Sequence, residues 1–170
     1  MTAILKPIDF AAVDAPVRFT EDLREIGFAV LRGAPLDDHA ITRIYDAWLA
    51  FFQSPEKMAF RYDRERQDGF FSTAEAEHAK GETLRDLKEY FHYYPWGRCP
   101  EALRPDLERY YAAVCTLGHT LLGWVEVNAP AAIAKQLSEP LSSMIAGSDV
   151  SLLRILHYPP LAETAGEGER

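Results

Sequence analysis

Alternation of hydrophobic and polar positions along the chain predicts short strands separated by amphipathic helices. The first stretch, ILKPIDF, favours a short strand, and its proline suggests an edge position. Apolar residues then recur at helical spacing up to Gly27, which is a plausible stop, and Asp14 is a candidate N-cap. FAVLRG, residues 28–33, predicts the next strand. The opening is therefore interpreted as strand, helix, strand.

Three further helices are predicted in the middle of the chain. The first begins at Asp37 or Asp38 and ends at Ser54-Pro55, where a short helical turn starts. Its apolar stripe consists of Ile41, Ile44, Tyr45, Trp48, Leu49 and Phe52. The longest helix follows Pro105 and reaches Asn128, and another covers residues 130–147, broken at Pro140.

Two segments between these helices differ sharply in polarity. RYDRERQD, residues 61–68, is almost entirely charged and predicts a solvated loop. KEYFHYYPWG, residues 88–97, alternates aromatic and polar groups and predicts a strand, with Glu89, Phe91 and Tyr93 on one face. This pattern is typical of an amphipathic strand at the surface of a flanking layer.

The segment LLRILHYPPL, residues 152–161, predicts a strand with unusual polar content. Side chains alternate on a strand, so Arg154 and Tyr158 share one face and His157 lies on the other. A guanidinium and a phenol on one face can address an anion such as a carboxylate. The alternative is that Arg154 pairs with an acidic residue while Tyr158 packs at the strand end. For His157, a hydrogen-bonded core position is favoured over a ligand role.

Charge and cysteine content narrow the possible partners. The 170 residues carry a net charge of -8 without a basic cluster, which argues against binding to nucleic acid or to an anionic membrane surface. Cys99 and Cys115 form no metal-binding spacing, and the N-terminus is not typical of a signal peptide. The chain is therefore expected in the cytoplasm, with its thiols reduced.

Five motifs occur in the order found in one enzyme family. RILHYPPL resembles the tyrosine-proline-proline strand of the isopenicillin N synthase-like oxygenases, which are non-haem and depend on Fe(II) and 2-oxoglutarate. The other four are PIDF, LREIGFAVLRGAPLD, AFFQSPEKMAF and the segment from GFFS to KEYFHY. Together they cover essentially the whole chain.

This resemblance implies a fold and a chemistry. The fold would be α+β, with N-terminal helices and strands (residues 1–148) flanking a double-stranded β-helix, or jelly roll, whose first part is residues 149–170. Such enzymes use Fe(II), 2-oxoglutarate and O₂ to hydroxylate, desaturate or cyclise a small molecule through a ferryl species. Tyr158 and Arg154 would contact the cosubstrate, and Glu89, Phe91 and Tyr93 would line the substrate entrance. Glu75 and Glu77 occupy a loop that contacts substrate in some relatives, although chance placement is favoured.

The family's iron and 2-oxoglutarate motifs are missing from this sequence. None of the five histidines is followed two positions later by Asp or Glu, and no Arg-x-Ser occurs. The chain is therefore expected to be an N-terminal, inactive portion of an oxygenase, its iron ligands lying beyond residue 170. The alternative is a non-catalytic interaction module or a truncated gene product.

A di-iron protein is a weaker alternative. It would use the Glu-x-x-His pairs that end at His78 and His92, but these are too close in sequence to lie on separate bundle helices.

Overall fold

The computed structural model describes residues 6–75 and 87–160, which form helices and two small sheets. The strands are β1 (Ile8–Asp9), β2 (Leu31–Arg32), β3 (Gly69–Phe71), β4 (Glu89–Tyr93) and β5 (Leu153–His157). The α-helices are α1 (Ala15–Ile26), α2 (Asp38–Gln53), α3 (Arg104–Asn128) and α4 (Ala131–Ala134). The predicted mixture of helix and sheet is confirmed. Among the residues described, no helix has the length and apolar character needed to cross a bilayer.

The chain divides into two compact units. The first unit comprises Met1–Asp38 and Arg109–Ser148, and the second comprises His39–Glu108 and Asp149–Arg170. Each unit combines two stretches of the chain, and the division into residues 1–148 and 149–170 that the sequence suggests remains a prediction. The division also places β3 and β4 in the same unit as β5.

The first unit has a small core around the strand-helix-strand opening. β1 and β2 pair in parallel, and Ile8, Ala15 and Phe19 form the buried cluster. The α1 helix ends as predicted, because Gly27 adopts a left-handed φ of 91° and donates its N–H to an α1 carbonyl. Asp14 occupies the N-cap position, but its side chain makes no capping hydrogen bond, so this part of the prediction is wrong.

The second unit is built on aromatic packing between α2 and β4. Trp48, Phe51 and Phe52 are the buried residues of α2, and the ring centroids of Trp48 and Phe91 lie 5.0 Å apart. Tyr45, in contrast, is 74% exposed. The predicted stripe was therefore misplaced towards the start of the helix and omitted Phe51. Helical periodicity identified an apolar side, but contact with the sheet restricts burial to the last turns.

The three-stranded sheet has the order β3-β4-β5, and both neighbouring pairs are antiparallel. In the pairing of β4 with β5, Glu89 faces His157, Phe91 faces Ile155 and His92 faces Arg154. Directly opposed residues project from the same face of a sheet. This register therefore determines which polar side chains meet.

The charged segment 61–68 begins as a solvated turn. The Asp63 carboxylate accepts backbone N–H groups from Glu65 and Arg66 at 2.9 and 3.0 Å. The hydrogen bond from Arg66, aided by the one from Glu65, lowers the pKa of the Asp63 carboxyl below its ordinary value and outweighs the opposing effect of desolvation.

The same segment ends in a buried ion pair that the sequence analysis missed. Asp68 is fully buried, and its carboxylate accepts the Arg98 backbone N–H at 2.6 Å and Arg98 side-chain N–H groups at 2.9 and 3.1 Å. Next to it, Gly69 has a φ of 105°, and a Cβ there would overlap the carbonyl oxygen of Phe60. The prediction of a wholly solvated loop is therefore wrong at Asp68.

The helix predicted over residues 130–147 is also wrong. Only α4 and a 3₁₀ helix, Leu141–Met144, occur there. Pro140 lacks an N–H and disfavours helical geometry in the residue before it, which separates the two pieces. The Glu126 carboxylate then accepts the N–H of Leu141 at 2.9 Å.

Candidate ligand-binding face of the three-stranded sheet

One face of the sheet carries the polar residues predicted for β5, and we call it the open face. It is defined by Tyr90, His92, Arg154, Leu156 and Tyr158. Leu156 and Tyr158 are 48% and 62% exposed, and Arg154 is exposed as well. The intervening residues of β5 are partly covered, so the predicted alternation of the strand is confirmed.

Arg154 is held in place by an imidazole and an aromatic ring. Its Nε donates to His92 Nε2 at 3.0 Å, and its guanidinium carbon lies 4.9 Å from the centre of the Tyr90 ring. Tyr90 is itself 1% exposed and stacks on Phe71, with ring centroids 4.5 Å apart. Among the described residues, no acidic side chain pairs with Arg154.

Tyr158 lies one residue beyond β5, on the same side as Arg154. The two residues are four positions apart, which corresponds to about 13 Å along an extended strand. Within the described part of the chain, no contact joins their side chains. Whether both residues bind one anion, as the sequence analysis suggests, therefore stays a prediction.

The opposite face contains a buried carboxylate shared by two bases. Glu89 Oε2 lies 2.7 Å from Lys57 Nζ, and Glu89 Oε1 lies 2.8 Å from His157 Nδ1. The His157 ring stacks on Phe52 with centroids 5.3 Å apart. His157 is thus the hydrogen-bonded core histidine that the sequence favoured. Lys57 was missed, because its distance in sequence gives no sign that it meets Glu89.

The other candidate substrate residues of β4 are covered. Phe91 and Tyr93 are 0% and 1% exposed, and Phe91 packs against α2. This placement favours a packing role in the described part of the chain. Their predicted place at a substrate entrance, with Glu89, remains a prediction.

Glu75 lies just after β3, where its carboxylate contacts Arg61 and Ser72. It lies 2.7 Å from Arg61 Nη2 and accepts the N–H and hydroxyl of Ser72 at 3.1 and 3.0 Å. Burial of Glu75 opposes ionisation, but the hydrogen bonds from Arg61 and Ser72 outweigh it and lower the pKa of the carboxyl. Glu77 lies outside the described residues.

The residues that the structure describes do not form an iron centre. Across residues 6–75 and 87–160, no three His, Cys, Asp or Glu side chains are grouped closely enough to hold a metal ion. Glu89 and His92 belong to opposite faces of β4, which argues against their use as one half of a di-iron site. His78 falls outside the described residues.

Comparison with solved structures relates this architecture to known proteins. A crystal structure of a "putative oxygenase" from Shewanella oneidensis is 44% identical, has a TM-score of 0.86, and is matched over 95% of this chain and 57% of its own. A "putative 2OG-Fe(II) oxygenase family protein" from Caulobacter crescentus is 25% identical with a TM-score of 0.66, over 96% of this chain and 59% of its own. Over nearly its whole length, this chain is therefore similar to solved oxygenase structures, one of which is named as a member of the 2-oxoglutarate- and Fe(II)-dependent oxygenase family.

A less similar solved structure shares the fold alone. JOX2, crystallised with 2-oxoglutarate, iron and JA, is 17% identical with a TM-score of 0.71 over 92% of this chain and 48% of its own. The chain thus spans about half to three fifths of the length of these oxygenases. No family model matches the sequence. The search of curated proteins found no match either.

Proposed function

We propose that this chain forms part of an Fe(II)- and 2-oxoglutarate-dependent oxygenase that modifies a small molecule. The observation that carries the proposal is the 44% identity with an oxygenase structure across nearly the whole chain. The open face of the sheet supports it, since an arginine and a tyrosine there are accessible to a ligand. In this proposal the three-stranded sheet is the beginning of the family's jelly roll.

The iron ligands, in this proposal, belong to the part of the oxygenase fold that the chain does not cover. The described residues supply no ligand set, and the sequence has no His-x-Asp or His-x-Glu. This chain would contribute packing, the substrate side and part of the 2-oxoglutarate side. Alone it would not turn over 2-oxoglutarate.

The test uses the full-length polypeptide that carries this sequence, purified and supplied with Fe(II), ascorbate, O₂ and 2-oxoglutarate. We expect succinate to form, and to form faster with one member of a small-molecule panel. A chelator should abolish succinate, and the 170-residue chain alone should produce none. Absence of succinate from the full-length protein under every condition would refute the proposal.

Tyr158 provides a residue-level test of the same proposal. Its exposed phenol is proposed to contact a carboxylate of 2-oxoglutarate. Replacing Tyr158 by Phe removes only the hydroxyl, so the 2-oxoglutarate concentration needed for half-maximal succinate formation should rise. An unchanged requirement would remove Tyr158 from the site.

A further inference from the structure

The end of the β4–β5 ladder is joined by side chains as well as by backbone hydrogen bonds. Glu89 is the first residue of β4 and His157 is the last of β5, and the two lie directly opposite each other. One oxygen of the Glu89 carboxylate contacts His157, and the other contacts Lys57 of the 3₁₀ helix Pro55–Phe60. Three elements of the second unit therefore meet at the position where fraying of the ladder would begin.

Each base in this contact is held by a further partner. Lys57 Nζ also donates to the carbonyl oxygen of Phe52 at 2.6 Å and lies 5.1 Å from the centre of the Phe70 ring. The His157 ring stacks on the Phe52 ring with an interplanar angle of 20°. The Glu89 side chain is only 9% exposed, so its hydrogen bonds are shielded from water. The imidazole is thereby fixed on the covered face of β5.

The residue that follows His157 is Tyr158, and its direction depends on where the imidazole is held. Neighbouring side chains on an extended chain project to opposite faces. With His157 on the covered face, the Tyr158 phenol projects to the open face, where the residue is 62% exposed. Pro159 comes next and restricts Tyr158 to extended backbone conformations, so the backbone that carries the phenol has little freedom.

We infer that His157 is a positioning residue, which orients the Tyr158 phenol because its hydrogen bond to Glu89 holds it on the opposite face. Tyr158 is the group that touches the ligand in this arrangement, and His157 acts only through it. The identity of that ligand, 2-oxoglutarate, rests on the proposed function. The orientation of the phenol does not, and it is measured separately below.

The experiment compares variants of the full-length polypeptide that carries this sequence. His157→Phe keeps a ring over Phe52 but removes the donor to Glu89, whose carboxylate can only accept. His157→Asn is the rescue variant, because its amide nitrogen can donate in place of Nδ1. Asp68→Asn is the matched control, since it disrupts another buried ion pair of the same unit. Fluorine NMR of 3-fluorotyrosine placed at position 158 reports the orientation of the phenol, and succinate formation reports catalysis.

His157→Phe should raise the 2-oxoglutarate concentration needed for half-maximal succinate formation about 3- to 10-fold, the range of one net hydrogen bond. The kcat and the KM for the small-molecule substrate should not change. His157→Asn should restore most of the wild-type requirement, and Asp68→Asn should leave it unaltered. When Tyr158 is already replaced by Phe, His157→Phe should have no further effect, because the hydroxyl that it orients is absent. The fluorine resonance should broaden or split in His157→Phe and stay single in the control.

An unchanged resonance together with an unchanged 2-oxoglutarate requirement in His157→Phe would overturn the inference, while succinate formation by the wild type would still support the proposed function. A rise of the same size in Asp68→Asn would trace the effect to general destabilisation and would also overturn it. Equal losses in His157→Asn and His157→Phe would overturn the role of the bond to Glu89. If the wild type forms no succinate, the proposed function fails. The fluorine resonance then decides alone, because a change confined to His157→Phe supports the inference and no change overturns it.

Discussion

Replacing Asp68 by Asn should strongly destabilise the second unit, because it disrupts a buried ion pair. The Asp68 side chain is 0% exposed, while that of Arg98 is 30% exposed. Asn keeps one acceptor oxygen, but its NH₂ group must face either the Arg98 backbone N–H or its guanidinium. Both of those groups are donors, so at least one favourable contact becomes a repulsive one.

The expected loss of unfolding free energy follows from how deeply Asp68 and Arg98 are buried. Removing one member of a buried pair costs about 3–5 kcal/mol. The partial exposure of Arg98 allows water to solvate its released charge, so we expect a cost at or just below the bottom of that range, about 2–3 kcal/mol. With a urea dependence of about 2 kcal/mol per molar, the unfolding midpoint should fall by roughly 1–1.5 M.

Urea unfolding followed by circular dichroism measures this change. Asp14→Asn is the control, because Asp14 is 63% exposed and lies 3.9 Å from Arg18, so its replacement should cost about 0.5 kcal/mol or less. A double-mutant cycle with Arg98→Met should give a coupling energy of about 2 kcal/mol. A midpoint shift for Asp68→Asn no larger than that of the control would refute this reasoning.

Further predictions concern glycine geometry, acid sensitivity and thiol reactivity. Gly69→Ala should cost at least about 2 kcal/mol of unfolding free energy, since its left-handed φ and the neighbouring carbonyl both oppose a Cβ. Gly123→Ala, with open space around it inside α3, should instead be neutral or stabilise by up to about 1 kcal/mol, and similar midpoints for the two variants would contradict the structure. Glu75→Gln should lower stability above the ordinary carboxyl pKa of 4.5. The difference from wild type should vanish as pH falls through the lowered folded pKa, and a difference that persists in acid would count against the ion pair. Burial raises the pKa of Cys99 to about 12, so iodoacetamide at pH 8 should modify Cys115 first, as peptide mass spectrometry would report; earlier labelling of Cys99 would show that it is accessible.

The sequence predicted the helix ends and strand patterns that are set by neighbouring residues along the chain. Gly27 ends α1 because a residue without a side chain readily adopts the left-handed conformation, and this is visible in the sequence alone. The Ser54-Pro55 break is equally local, since the serine hydroxyl accepts the N–H of Glu56. The alternation of β5 was predictable for the same reason.

Contacts between distant residues were not predictable in this way. Asp68 lies in a run of charged residues whose composition is typical of a solvated loop. Its burial is explained by the hydrogen bonds that its carboxylate accepts from Arg98, thirty positions later in the chain. The partnership of His92 with Arg154 depends on strand register, which a single sequence does not specify. The candidate residues of β5 were therefore found from sequence, whereas their surroundings required the structure.

The pairing of β4 with β5 constrains how this segment can change in evolution. Arg154 and His157 are three positions apart on β5, so their side chains project from opposite faces of the sheet. Inserting or deleting one residue between them would move one of the two side chains to the other face of the sheet. Either the Arg154 guanidinium would then be buried among phenylalanine rings, or the His157 imidazole would be exposed to water. Substitutions can alter the side chains of this segment one at a time, but a change of length within these four positions would exchange its covered side with its exposed side.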